Sequence, residues 1–113
     1  MAEWRIDFYQ DGRGKKPVDD FLQEQQSDTR ALLLRAIDLL QRYGLTLGDP
    51  HVRLISDKLW ELRAGAGRIF YVALTGRRFI LLHAYIKKSQ KAPEREIETA
   101  RRRLADMLER EQK

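Results

Sequence analysis

Between residues 52 and 86 the chain passes through three stretches rich in β-branched and aromatic side chains, Val52–Arg63, Arg68–Leu74 and Arg78–Ile86, a composition typical of strands. The breaks between them, Ala64-Gly65-Ala66-Gly67 and Thr75-Gly76-Arg77, are short and carry glycine. Connections of that length reverse the chain and do not cross over a sheet, so the three strands are predicted to pair antiparallel as a meander. The rest of the chain must pack around them.

The flanking segments supply one more strand and three helices. Trp4, Ile6 and Phe8 alternate with Arg5, Asp7 and Tyr9, the period of a half-buried strand. Gly12 to Lys16 reads as a loop. Pro17 suits the first turn of a helix whose positive end favours Asp19 and Asp20, with Val18, Phe21 and Leu22 as its apolar face. A second helix starts near Ser27 or Asp28, places Leu33, Ile37 and Leu40 on one stripe, and stops at Gly44. After Pro93 a third carries Glu94, Glu96 and Glu98 in its first turns, then Arg101 to Arg103, with a stripe of Ile97, Ala100, Leu104 and Leu108. The expected order is β-α-α-β-β-β-α. This is an α+β fold in which an N-terminal helical hairpin and a C-terminal helix pack on one face of an antiparallel sheet. A length of 113 residues, with 42% hydrophobic and 35% charged, suits one folded domain over 1–113.

Charge is concentrated in the strand-rich third. Residues 51–91 hold nine Lys or Arg against two Asp or Glu; the first fifty hold seven against nine, and the last twenty-two hold six of each. A cationic surface of this kind is what polyanion binding needs, although a solvated basic face would share the same composition. There is no cysteine, so disulfides, thiolate metal sites and cysteine nucleophiles drop out. No apolar run approaches the ~20 residues of a membrane span. Glu3, Arg5 and Asp7 interrupt the N-terminus where a signal peptide needs its apolar core. A soluble, cytoplasmic protein is expected.

Several residues have chemical potential. Arg63 and Arg68 flank a tight connection, so their guanidiniums can approach one spot and fork onto phosphate oxygens; they could equally solubilise a hairpin end. Lys87, Lys88 and Lys91 follow the last strand, whose end in a meander lies beside the start of the preceding one, where Arg68 falls. The two basic clusters should converge. Tyr85 shares a face with Lys87 and could stack on a base, hold a proton or simply fill core. His83 lies on that face too, as a general acid or base or as a structural histidine. His51 sits in a loop with no second ligand at metal-like spacing, so neither a metal nor another cofactor is expected. Trp4 and Trp60 read as core.

Taken together, Lys58-Leu59-Trp60-Glu61-Leu62-Arg63, then Arg68-Ile69-Phe70-Tyr71, then Leu81-Leu82-His83-Ala84-Tyr85 with Lys87-Lys88, Gln90-Lys91 and Pro93, resemble the phage-related branch of the RelE/HigB toxin superfamily. Glu96-Ile97-Glu98, Ala100 and Arg101 to Arg103 fit the same pattern. The resemblance spans nearly the whole chain. It implies the toxin of a type II toxin-antitoxin system, a metal-independent endoribonuclease that cuts messenger RNA at the ribosome. It implies as partner a helix-turn-helix antitoxin of the HigA kind. By position it assigns phosphate stabilisation to Arg68 and Arg63, and RNA binding or acid–base work to Lys87 and Lys88. Tyr85, His83 and Glu61 are further catalytic candidates, and Lys91, Lys58 and Arg78 are assigned to RNA binding. Glu61 departs from the pattern, standing where some ribosome-dependent relatives place a basic residue, which leaves the general base and the need for ribosomes open. Two rivals share these features: a gyrase-inhibiting toxin of the ParE type, and a non-enzymatic nucleic-acid-binding regulator.

Overall fold

Five strands and three helices make up the computed structural model, which describes residues 3–91 and 93–112. In chain order they are β1 (Arg5–Phe8), α1 (Pro17–Glu24), α2 (Ser27–Tyr43), a short 3-10 turn (Gly44–Thr46), β2 (Val52–Ser56), β3 (Leu59–Ala64), β4 (Gly67–Leu74), β5 (Arg78–Ile86) and α3 (Glu94–Glu111). The spatial order across the sheet is β1-β5-β4-β3-β2. The α+β class, the helical hairpin, the meander and the C-terminal helix all match expectation.

Three features differ. The stretch read as one strand from Val52 to Arg63 is a hairpin, β2–β3, which turns at Asp57 and Lys58. Both residues hold positive φ, 21° and 59°. Neither is glycine, so the turn leaves no breaker in the sequence. The sheet is also mixed, because β1 pairs parallel with β5 through Ile6↔Phe79 and Phe8↔Leu81. The two helices between β1 and the meander supply the crossover that such a pairing requires. Lastly, the helices cover both faces. Val18, Leu22, Leu33, Ile37 and Leu40 pack with Leu62, Ile69, Phe79 and Leu81 on one side. On the other, Ala100 and Met107 of α3 pack with Leu59, Phe70, Val72, Ile80 and Leu82. A sheet whose strands are apolar on both faces needs cover on both. Met107, not Leu108, completes the α3 stripe with Ile97, Ala100 and Leu104, and Leu108 is exposed.

Local geometry aligns the strand ends. The β3–β4 turn has Gly65 at φ +59°, the sign required at the first central position of a type II′ turn. At Gly67 a Cβ would lie 2.8 Å from Leu33 Cδ2, so glycine lets α2 approach the sheet here. In β5 the register steps from Phe70↔His83 to Tyr71↔Leu81, leaving Leu82 as the extra residue of a bulge. Ile80 and Leu82 face α3, and after the bulge so does Tyr85, while Phe79, Leu81 and Ala84 face the helical hairpin. Trp4 stacks on Phe79 with ring centroids 4.3 Å apart, and Trp60 packs partly buried against the hairpin-side core.

Candidate active site

Strand register sets the site. Arg63 pairs with Arg68 across β3–β4, and Arg68 pairs with Tyr85 across β4–β5, so the three form one row on the α3 face. The adjacent row on that face is Arg53, Glu61, Phe70 and His83. Pairing in antiparallel strands brings such side chains within reach of one another.

At the centre lies a buried charge cluster. The Glu61 and Arg68 side chains are only 6% and 9% exposed. Arg68 Nη1 donates to the carbonyls of Gly65 at 2.6 Å and Gly67 at 2.8 Å, which anchors the guanidinium to the β3–β4 turn. Its Nε makes no hydrogen bond among the described residues and stands 3.8 Å from Glu61 Oε1. Arg63 Nε approaches the same oxygen at 4.0 Å. The Tyr85 hydroxyl donates to Glu61 Oε2 across 3.4 Å. These contacts are long for charge-assisted bonds, so Glu61 occupies a cationic seat without filling it. Burial, and then the neighbouring Glu61 carboxylate, push the Tyr85 phenol well above its ordinary pKa, so it stays protonated and acts as a donor. Arg68 does not solubilise the hairpin end, the alternative left open by the sequence, because it is buried.

A cleft of about 310 Å³ opens on this cluster, lined by Arg53, Glu61, Arg63, Arg68, Lys87 and, from beyond the sheet, Gln90, Pro93 and Ile97. The Lys87 amide donates to Ala66 O at 2.8 Å, which brings the segment after β5 to the β3–β4 turn. The expected convergence of the arginines with Lys87 is thus present. Lys88 and Lys91 line a neighbouring cleft with Lys87 and Tyr85.

Not every candidate joins them. Arg78 begins β5, seven residues from Tyr85 and roughly 20 Å away at the ~3.3 Å rise of a strand. There it binds Asp7 at 2.5 Å and Glu111 at 2.8 Å. Lys58 lies in the β2–β3 turn, at the far end of β3 from Arg63. His83 faces the site but has both ring nitrogens engaged. Arg103 Nη1 approaches Nδ1 at 2.9 Å and also donates to Leu82 O at 3.0 Å, so Nδ1 accepts and Nε2 carries the proton toward Glu96 Oε1, 2.6 Å away. Burial is the largest cause lowering its pKa, against the pull of Glu96 and with the help of Arg103. His83 is therefore a neutral link between β5 and α3. Its ring stacks on that of Tyr85, with centroids 6.0 Å apart.

Sequence reasoning missed Arg53, Glu96 and Arg103. Arg53 becomes visible once the turn at Asp57–Lys58 is known, because that turn sets it opposite Glu61. Glu96 and Arg103 come from α3, whose choice of face is a tertiary matter.

A family model described as phage-derived protein, Gp49-like (DUF891), matches residues 20–105, a span that includes α2, β2 to β5 and every residue of the charge cluster. No curated protein matches the chain.

Proposed function

The chain belongs to the Gp49-like family of phage-derived proteins, a toxin-like family, and from that premise we propose that it is a RelE/HigB-type toxin that cleaves messenger RNA without a metal. The observation that carries this reading is Arg68. A guanidinium held by two backbone carbonyls and lining an open cleft, whose buried Nε has no hydrogen bond among the described residues and only a long 3.8 Å contact to Glu61, is suited to meet an anion.

In the proposed step Glu61 accepts the proton of the 2′-hydroxyl, and the 2′-oxygen attacks the adjacent phosphorus. The bond from phosphorus to the 5′-oxygen breaks as Tyr85 gives that oxygen its proton. Glu61 then returns its proton to Tyr85 across their 3.4 Å contact, which resets the site. The products are a 2′,3′-cyclic phosphate and a 5′-hydroxyl, with no net proton change. Arg68 and Arg63 hold the charge that gathers on the phosphate, each contact contributing ~3–4 kcal/mol at the transition state. Lys87, Lys88 and Lys91 bind flanking backbone. The reading carries with it a cytoplasmic setting, the ribosome as the place of cutting and a helix-turn-helix antitoxin as partner. Among the described residues no helix is long and apolar enough to cross a membrane.

The test is to incubate purified protein, alone and with ribosomes, with messenger RNA in excess EDTA, a polyamine replacing magnesium, and to map the ends. Fragments with 5′-hydroxyl and cyclic or 3′-phosphate ends are expected, and a transcript bearing one 2′-deoxy nucleotide at the mapped cut should survive. Undiminished cleavage of the deoxy transcript, or 3′-hydroxyl ends, would overturn the mechanism.

A further inference from the structure

The neighbouring cleft has a feature that phosphate binding does not explain. It occupies about 410 Å³ and shares Lys87 and Pro93 with the catalytic cleft. Its walls carry three lysines and Arg95, yet among the described residues Glu96 forms no ion pair with any of them. Its carboxylate instead meets His83 Nε2, at 2.6 Å. A neutral imidazole donor orients a carboxylate without cancelling its charge. An acceptor pair oriented by His83 therefore stands in a cationic cleft whose walls also include Tyr85 and Pro93.

From this arrangement we propose that the cleft is a nucleobase pocket and that Glu96 selects guanine next to the cut. The inference rests on the RNA-cleavage reading above. A carboxylate offers two acceptors side by side and no donor. Guanine is the RNA base whose Watson–Crick edge offers two adjacent donors, N1–H and the N2 amino group, so it meets the carboxylate with two parallel charge-assisted bonds. Adenine and cytosine set a donor beside an acceptor, and uracil sets one donor between two acceptors. Each of these leaves a carboxylate oxygen facing a lone pair, which costs more than a missing contact. Tyr85 and Pro93 provide the flat apolar walls that an unstacked base needs, and Lys87 connects the pocket to the phosphate seat.

Two readouts separate this proposal from its premise. The first is binding of guanosine 3′-monophosphate and uridine 3′-monophosphate to the purified protein by calorimetry, which requires no cleavage. Wild type is expected to bind the guanosine nucleotide on the order of tenfold to a hundredfold more tightly, the discrimination of one good bidentate contact. Inosine 3′-monophosphate, which lacks the N2 amino group, should fall between them. In Glu96→Gln, whose amide oxygen still accepts from His83, the preference should collapse to about one. The second readout is kcat/KM on RNAs differing only in the base at the cut, whose guanine-to-uracil ratio should collapse in the same variant. Equal binding of the two nucleotides by wild type, or an unaltered preference in Glu96→Gln, would overturn the guanine pocket. Selective binding of guanosine nucleotide without any RNA cleavage would keep the pocket and remove the nuclease.

Discussion

The two ends of the β4–β5 ladder hold arginines in opposite electrostatic circumstances. At the start of β5 Arg78 lies between Asp7 at 2.5 Å and Glu111 at 2.8 Å, and those partners raise its pKa. At the other end Arg68 of β4, opposite Tyr85, has one carboxylate within 4 Å among the described residues, shares it with Arg63, and keeps a buried Nε without a hydrogen bond. The first end is closed, because each charge is answered within the chain. The second is open, since cations there exceed carboxylates and the shortfall is in anion. The same residue type thus ties β1 and α3 to the sheet at one end and is the proposed phosphate contact at the other.

The strongest way to break this contrast is to substitute each arginine in turn. Arg68→Ala is expected to lower the rate of RNA cleavage by roughly a hundredfold to a thousandfold. It should also cost about 1–3 kcal/mol of stability, because the Gly65 and Gly67 carbonyls lose their donor. Arg68→Lys should recover part of the rate, since a point charge cannot fork. Arg78→Ala should leave the rate alone and lower stability by about 1 kcal/mol, the worth of a partly exposed pair. Urea unfolding beside single-turnover cleavage reads both, and a rate loss at Arg78 equal to that at Arg68 would erase the distinction.

The lysines sharpen the picture. Replacing Lys87, Lys88 and Lys91 together by alanine should weaken RNA binding and flatten its salt dependence, by up to about 0.7 counterion for each single-strand phosphate that is no longer neutralised. Binding measured across a salt series checks this; an unaltered slope would place all three lysines in solvent and leave the open end to the arginines alone.

The smallest effect expected is one of pH. Burial lowers the pKa of His83, so below about pH 6.5, the ordinary value, the folded protein holds fewer protons than the unfolded chain. Its contribution to stability is whole above that pH and is lost as the pH falls toward the folded pKa. Charging would put a proton on Nδ1, which faces Arg103, with Arg102 also repelling it and Glu96 on the far side. Thermal unfolding from pH 7.5 to 5 should show a decline that is reduced in His83→Gln. Identical profiles would mean that the link to α3 does not titrate.

How far these features are legible in the sequence depends on how local they are. The meander is legible because Gly65 and Gly76 mark its turns, and the same turns set Arg63 opposite Arg68. The β2–β3 turn is not, since Asp57 and Lys58 adopt positive φ without glycine. The second layer of helix is hidden for another reason: the α3 stripe shows that the helix packs, but not on which face. Burial of Arg68 follows from that choice, as does the Arg103–His83–Glu96 chain.

The bulge at Leu82 shifts β5 by one residue in phase. Before it, even-numbered positions meet α3; beyond it, odd-numbered ones do. One strand thereby serves two purposes through a single break in its alternation, offering Ile80 and Leu82 to the core and then His83 and Tyr85 to the site. Deleting Leu82 would only remove the bulge, whereas inserting a single codon between His83 and Ala84 would turn Tyr85 toward the helical hairpin and present Ala84 in its place. The length of the chain and the facing of the strand are thus coupled at one point, and a change too small to unsettle the fold's outline would separate the proposed acid from the proposed phosphate seat.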